Sequence, residues 1–551
     1  MPISPTFLRR ERRSKLAAGL AVLALMAACG REGGQPDGQL TASSGQVKPV
    51  QGASVTRFAA ARFADQVSFG ATPALVAEIQ SKGFEHWIDD QFALPPTLID
   101  THPIDSYDSQ IAEQGQRGYR YAVGQLYSTM LTAPDQLRWR VTWSLEQYIT
   151  TAMNKIEPHG TLAYANLLQR YGTTNYGDLL RAVSTNPSMG IYLDNLQNRP
   201  TSTECPWCSP NENYARELMQ LFTLGVVKLN PDGTVQRDGA GKPIETYTQK
   251  DVTELARALT GWMMDANYDR TDFRRYDGVL IPDPWSAAHD RGAKTVLGKA
   301  LGANVDASKE LDAIVALLMG HQNIAPFVSL RLIQHLVTSN PSPAYLARVA
   351  AVFRNNGKGV AGDMKAVVKA ILLDPEARRG DQIGADSNEF GKMREPVLWY
   401  TSALRGLGCT QALTWDNGVD MMLPSQRPFD PTSVFSFYMP TDRAPGSNLL
   451  APEQRLLTAE ELSFRLNGGF SGGIARAGSA CAAGALGKAF ASSPAAFADL
   501  VSERFFRGAM PAVLRQNLID LAGSTWGSTP DEKAISLLQF ALATPYYGVI
   551  R

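Results

Sequence analysis

The stretch Asn211-Glu-Asn-Tyr-Ala-Arg-Glu-Leu-Met-Gln-Leu-Phe-Thr-Leu-Gly225 sets charged and amide side chains at helical spacing among leucines and aromatics. Asn213, Glu217 and Gln220 fall at i, i+4 and i+7 on one stripe, with Tyr214, Leu218, Leu221 and Phe222 on the apolar stripe beside it. Such a helix buries its apolar stripe, and the polar groups must find partners as it packs. A second segment, Tyr247 to Trp262, repeats the design: Val252, Leu255, Ala256 and Leu259 make an apolar face flanked by Glu254 and Arg257. If the two apolar faces pack together, Arg216, Glu217, Glu254 and Arg257 meet at the seam. Asp251 stands in the first turn of the second helix, where a carboxylate suits the positive helix end. The pair His289-Asp290 follows in a loop after Pro282, Pro284 and Trp285.

Working outward, apolar residues recur at three and four along most of the chain, the pattern of a buried helical stripe. Helices are predicted over 73–92, 119–131, 133–153, 160–171, 175–184, 211–224, 249–263, 307–320, 323–337, 342–356, 361–374, 393–407, 452–466, 495–507, 511–522 and 530–543. Alternating patterns are few. Residues 226–247 carry Asn-Pro-Asp-Gly and Asp-Gly-Ala-Gly turn signals between short β-prone runs, which predicts a β-hairpin excursion. The expected fold is all-α, a multi-helix globular body with one small β-hairpin insertion. A Gly/Ala/Ser-rich run over 467–493 reads as a long loop. A break near 380–390 suggests a helical N-terminal part over 54–380, carrying the polar motif, and a helical C-terminal part over 381–551.

The first residues read as an address. Arg9, Arg10, Arg12, Arg13 and Lys15 form a basic segment, Leu16 to Met26 is apolar, and Ala27-Ala28-Cys29 sets small residues before a cysteine. The apolar run is shorter than the about 20 residues a membrane-spanning helix needs, so residues 1–28 read as a signal peptide. Cys29 at the cleavage position makes it a lipoprotein signal, with lipidation (diacylglycerol and palmitate) on that thiol. Gly30 follows the cysteine where an aspartate would signal inner-membrane retention, so outer-membrane anchoring, periplasmic or surface-exposed, is expected. Residues 29–53 are rich in Gly, Gln and Ser and read as a flexible tether. Lys plus Arg equal Asp plus Glu at 53 each, and no basic cluster follows the signal, so nucleic acid has no electrostatic footprint here.

Cys205, Cys208, Cys409 and Cys481 remain in the mature chain. In an oxidising compartment four cysteines imply two disulfides, and Cys205–Cys208 with Cys409–Cys481 is the simplest of three connectivities. Cys205-Pro-Trp-Cys208 also has the spacing of a thioredoxin-type redox pair or a metal clip. Its setting in the polar loop 199–210 favours a structural clip over both.

At these residues the chain resembles a bacterial family catalogued as domain of unknown function 1800. Arg62 to Thr72 is similar to its opening segment, Asn186 to Asn195 to the segment before its central motif, and Asn211 to Gly225 with Tyr247 to Trp262 to its core. His289-Asp290, Lys294 and Gly298 extend that core, and Ala541 to Arg551 resembles its terminal segment. The resemblance implies a secreted or envelope-attached protein, and a companion from a second family that looks related to sulfatases and alkaline phosphatases. It brings no catalytic assignment with it.

As chemistry, Glu217, Glu254, His289 and Asp290 are the candidate catalytic residues, with Asn213, Arg216, Asp251 and Arg257 as the binding or structural network around them. Read functionally, the carboxylates and the imidazole are an acid–base cluster; read structurally, they are ion pairs locking helices together. The remaining histidines, His86, His102, His159, His321 and His335, border turns or sit on amphipathic helices, and none has zinc-ligand spacing, so no metal or cofactor is expected. Gly469-Phe-Ser471-Gly-Gly473 fits a nucleophile-elbow pattern, but no histidine follows His335 to serve it. Residues 234–245 lack the acidic ligands of a calcium loop. Two function classes stay open. One is a binding or assembly factor for an extracytoplasmic partner or polymer. The other is a hydrolase-type enzyme using a Glu/His acid–base pair on an envelope polysaccharide.

Overall fold

The computed structural model describes residues 55–103, 112–265, 276–384, 390–410, 425–466, 474 and 481–550. The signal peptide, Cys29, the tether and the 469–473 stretch lie outside the described residues.

The chain is all-α with small two-stranded ladders, as its periodicity predicts. Helix α1 (Arg57–Val67) is capped by Thr56, whose hydroxyl accepts from the Ala59 N–H. The helix predicted over 73–92 is two, α2 (Pro73–Lys82) and α3 (Phe84–Ala93), because Gly83 at φ 75° turns the chain between them. There follow α4 (Ala112–Thr132), α5 (Gln136–Glu146), α6 (Pro158–Tyr171), α7 (Tyr176–Ser184) and α8 (Pro187–Tyr192). Every residue of α5 is buried, charged ones included, so this helix is the axis of the body rather than one of its faces. Trp139 and Trp143 on α5 join Trp87 and Trp399 as the largest fully buried apolar side chains.

The motif region begins with α9 (Asn213–Glu217), which passes directly into a π-helical turn over Leu218–Thr223. Residues 226–245 make the expected excursion as isolated bridges (Val227 with Glu245, Leu229 with Val235, Arg237 with Pro243) rather than as a regular hairpin. Helix α10 (Gln249–Ala258) ends earlier than predicted and gives way to β1 (Trp262–Met263), paired with β2 (Ile281–Pro282). A tight hairpin joins β3 (Lys294–Val296) to β4 (Lys299–Leu301). Then come α11 (Ala307–Met319), α12 (Ile324–Leu336), α13 (Pro343–Arg354), α14 (Met364–Leu373) and α15 (Pro375–Arg378).

Ser54–Arg551 forms one compact unit, and the segment near 380–390 is bridged by several ties. Arg62 of α1 donates to Ala377 O and Asp381 at 2.7 and 2.8 Å. Asp65 takes Arg394 and Arg507 at 3.3 and 2.9 Å. The strand β5 (Lys392–Met393) pairs with β6 (Val549–Ile550) at the far end of the chain. Helix α16 (Pro396–Gly406) is wholly buried, and its Arg405 Nε donates to Gly70 O at 2.7 Å. The remainder is α17 (Ala459–Leu466), α18 (Gly484–Ser492), α19 (Pro494–Phe505), α20 (Ala512–Leu521), α21 (Pro530–Leu542) and α22 (Pro545–Gly548). Helix α18 lies where a loop was expected: it packs against α21, with Gly487 at the close approach to Asp531. Disulfides join Cys205 to Cys208 and Cys409 to Cys481. Among the described residues no single helix is long and apolar enough to cross a membrane.

Candidate functional site

Helices α9 and α10 pack together, but the seam is not made by the residues expected there. Glu212, just before α9, is its hub. It accepts from Arg216 at 2.9 Å, Gln249 Nε2 at 2.8 Å and Thr253 Oγ1 at 2.7 Å. The Thr253 hydrogen bond chiefly holds Glu212 below the usual carboxylate range. Gln249 and Thr253, one turn apart, face α9; Glu254 and Arg257 sit on the next face, toward the β3–β4 hairpin. Among the described residues no hydrogen bond or ion pair joins Arg216 or Glu217 to Glu254 or Arg257. The expected four-residue seam is therefore two separate sets.

The second set is a closed ionic cluster. Arg257 grips Asp290 through Nε and Nη2 at 2.7 and 3.1 Å, and its Nη1 donates to both oxygens of Glu254. Such forked contacts use the guanidinium geometry fully. Glu254 also accepts from the Thr295 N–H at 3.2 Å, and Asp251 from Leu297 N–H at 2.7 Å, so α10 clamps the hairpin. Asp251 closes a capping box with Thr248, the helix-end role its position implies. Lys294 lies between, donating to Asp290 O, to Gly292 O at 3.0 Å and to Glu310 of α11 at 2.9 Å. His289 is buried: Nδ1 is 2.9 Å from Thr260 O, and Nε2 is 3.0 Å from Glu310 Oε2, within ion-pair distance though not aligned as a hydrogen bond. Gly261, at φ 84°, must be glycine here, since a Cβ would lie 2.7 Å from His289 Cβ. Burial works to raise Asp290, yet the Arg257 bonds and the Gly292 N–H outweigh it and hold the carboxyl below its ordinary value.

Glu217 stands apart from this cluster. It is buried, its Oε2 has no hydrogen-bond partner, and burial raises its pKa against the opposing pull of Arg216. Asn213, one turn before Glu217 on the same helix, donates to Asp194 at 3.1 Å. The π-helical turn changes the register after Glu217, so Gln220 reaches the Tyr247 hydroxyl at 3.3 Å. The wider π turn is a distortion frequent at functional sites.

That turn forms one wall of a cleft of about 360 Å³, which sequence reasoning missed. Its other walls come from the 226–235 excursion, α12 and the segment 434–441. Leu221, Val226, Phe327, Leu330, Val434 and Met439 are among the apolar lining; Gln147, Gln220, Arg331, His335 and Tyr438 are among its polar groups. Behind them lies a second buried ionic set. Lys392 sits 3.0 Å from Glu395 and 3.3 Å from Glu453. Tyr438 donates its hydroxyl to Glu395 at 3.2 Å, and Gln426 donates at 3.0 Å. Burial alone would push Glu395 up, but Lys392, His335 and Arg140 bring it to about 2. Burial, reinforced by Lys392, drops the His335 imidazole to about 3. On α5, burial pushes Glu146 up to about 8 despite hydrogen bonds from Thr150 and Gln147. No group of three or more His, Cys, Asp or Glu side chains among the described residues is arranged to hold a metal ion.

No curated protein and no solved structure is matched by this chain. The family described as "Protein of unknown function (DUF1800)" matches residues 62–549, nearly the whole length, and the chain belongs to that family.

Proposed function

We propose that this protein is a lipoprotein, anchored to the outer membrane through Cys29, that acts as a binding or assembly factor, with the cleft beside the π-helical turn as its binding site. One observation carries the reading. The central motif spends its arginines and most of its acids on one another, while its distorted helical turn opens Gln220 and Leu221 onto an apolar cleft with polar groups at its floor. Ligand sites are typically of this kind: concave, mostly apolar, with a few placed polar groups. The anchor reading is supported by the basic segment, the short apolar run and the small residues before Cys29.

The test is retention of envelope components. Detergent-solubilised envelope is passed over immobilised wild-type protein and over Leu221→Arg, both checked for the same circular dichroism. The wild type should retain a component that Leu221→Arg loses; equal retention by the two removes the cleft from the reading. For the anchor, Cys29→Ser should leave the membrane fraction, and its persistence there would end the lipoprotein proposal.

A second reading, a hydrolase-type enzyme acting on an envelope polysaccharide, draws on Glu217, whose raised pKa and unpartnered oxygen suit a general acid. Its intended partner His289 is engaged with Thr260 and Glu310. Loss of a measured polymer cleavage in Glu217→Gln, with melting temperature unchanged, would favour this reading over the first.

A further inference from the structure

We propose that the cleft holds a single-chain amphiphile, its apolar tail along Leu221, Phe327, Leu330 and Val434 and its anionic head, a carboxylate or a phosphate, paired with Arg331. This rests on the reading of the cleft as the binding site and names the ligand's chemistry. The volume of about 360 Å³ lies near the lower end of the ligand-pocket range, which is roughly 300–1,000 Å³, and suits one chain rather than a polymer.

The head group is argued from Arg331. Its guanidinium lies over the Phe327 ring at 5.1 Å and makes one hydrogen bond, to Gln334 at 2.9 Å. Among the described residues it has no carboxylate within ion-pair distance. Arg331 itself is half-buried, and the fully buried arginines have partners. Arg62 has Asp381, Arg394 has Asp65, and Arg465 has Glu461. Arg140 and Arg405 lack a carboxylate but spend their N–H groups on main-chain carbonyls, those of His335, Gly70 and Leu131. Arg331 alone among these faces an apolar cleft with its charge unanswered, and burial pulls it to about 10, still cationic at neutral pH. Among the described residues no aspartate or glutamate lines the cleft. A cation partly withdrawn from water without a counter-ion attracts an anion more strongly than a fully exposed one would. An apolar ligand ending in an anion supplies both missing elements.

The experiment uses the chain from residue 29 onward with Cys29→Ser, so that no detergent competes for the cleft. Decanoate, decyl phosphate and decanol are titrated calorimetrically. At least one anion should bind more tightly than decanol by about tenfold or more, the scale of a charge-assisted contact. The tighter of the two identifies the source: a fatty-acid carboxylate or a phospholipid-type phosphate. Arg331→Leu should reduce the anions to the level of decanol, and Arg331→Lys should recover part of the preference. Equal binding of all three ligands, or a preference that survives Arg331→Leu, overturns the proposal. So does tighter binding of an apolar peptide through its C-terminal carboxylate. If Leu221→Arg still loses its envelope component while no anion binds, the ligand class is wrong and the cleft reading stands.

Discussion

Around Arg257, every charge faces an opposite one: Arg257 with Glu254 and Asp290, and Lys294 with Glu310 beside His289. At the cleft, Arg331 has Gln334 and the Phe327 ring but, among the described residues, no carboxylate, although Glu395 and Glu453 lie buried behind the floor and are taken up by Lys392. Both regions draw charge partly out of water. The first neutralises it internally, as a device joining α10, the β3–β4 hairpin and α11 must. The second leaves one cation over, next to open apolar volume. A charge set that closes on itself has nothing left with which to recognise a ligand; a set that leaves one charge over does.

The largest effect that could break this contrast is at Lys294 and Glu310, each about 1% exposed as side chains. Lys294→Met leaves Glu310 buried and uncompensated and should cost about 3–5 kcal/mol in denaturant unfolding. The double variant Lys294→Met/Glu310→Leu should recover much of that loss. A negligible cost for the single variant would remove the locking role.

Next is pH. Glu146 has a folded pKa of about 8 against an ordinary 4.5, so the folded state holds a proton that the unfolded chain has released. Its contribution therefore declines as pH rises from about 4.5 through 8. Glu146→Gln should gain stability over wild type by an amount on the order of a few kcal/mol at pH 8, and less at pH 5, read by melting curves. His335 acts in the opposite direction: its folded pKa of about 3 lies below the ordinary 6.5, so stability declines as pH falls from 6.5 toward 3.

Glu217→Gln should do little, or raise the melting temperature above neutral pH, because it removes a buried carboxylate with one unpartnered oxygen. A fall of many degrees would mean that Glu217 belongs to a charge lock after all. Smallest is Arg331→Leu, expected within about 1 kcal/mol of wild type, since surface and half-buried substitutions without a lost ion pair rarely cost more.

Much of the fold was legible because long helices carry a three-and-four repeat that burial makes obligatory. Helices α6, α7, α11 to α14 and α19 to α21 lie within a few residues of their predicted bounds. Pairs such as Lys392 with Ile550 were not legible: a two-residue ladder between segments so far apart leaves no local pattern. Helix α18 was hidden by its glycines and alanines, which read as a loop, although Gly487 serves a close approach to Asp531. In the motif, Glu254, Arg257, Asp290 and His289 were found by type and spacing. Glu310 was missed because a first-turn acid on an amphipathic helix usually faces water. The π-helical turn was missed because 3.6-residue periodicity assumes a regular helix; the wider turn moved Gln220 off the Glu217 stripe and opened a cleft whose lining spans residues 147 to 441. His335 and Arg331 read as ordinary residues of α12, and only the tertiary fold makes them a floor.

The central claim is that charge near Arg257 holds the body together while charge at Arg331 recognises a ligand. The most direct measurement is the melting temperature of Lys294→Met and Arg331→Leu, each with and without the tighter-binding ten-carbon anion. A ligand that binds only the folded state raises that temperature in proportion to its occupancy. Lys294→Met should melt well below wild type yet keep the ligand-induced rise, and Arg331→Leu should melt like wild type and lose it. The reverse pattern, a ligand-induced rise abolished by Lys294→Met and kept by Arg331→Leu, would contradict the division of roles.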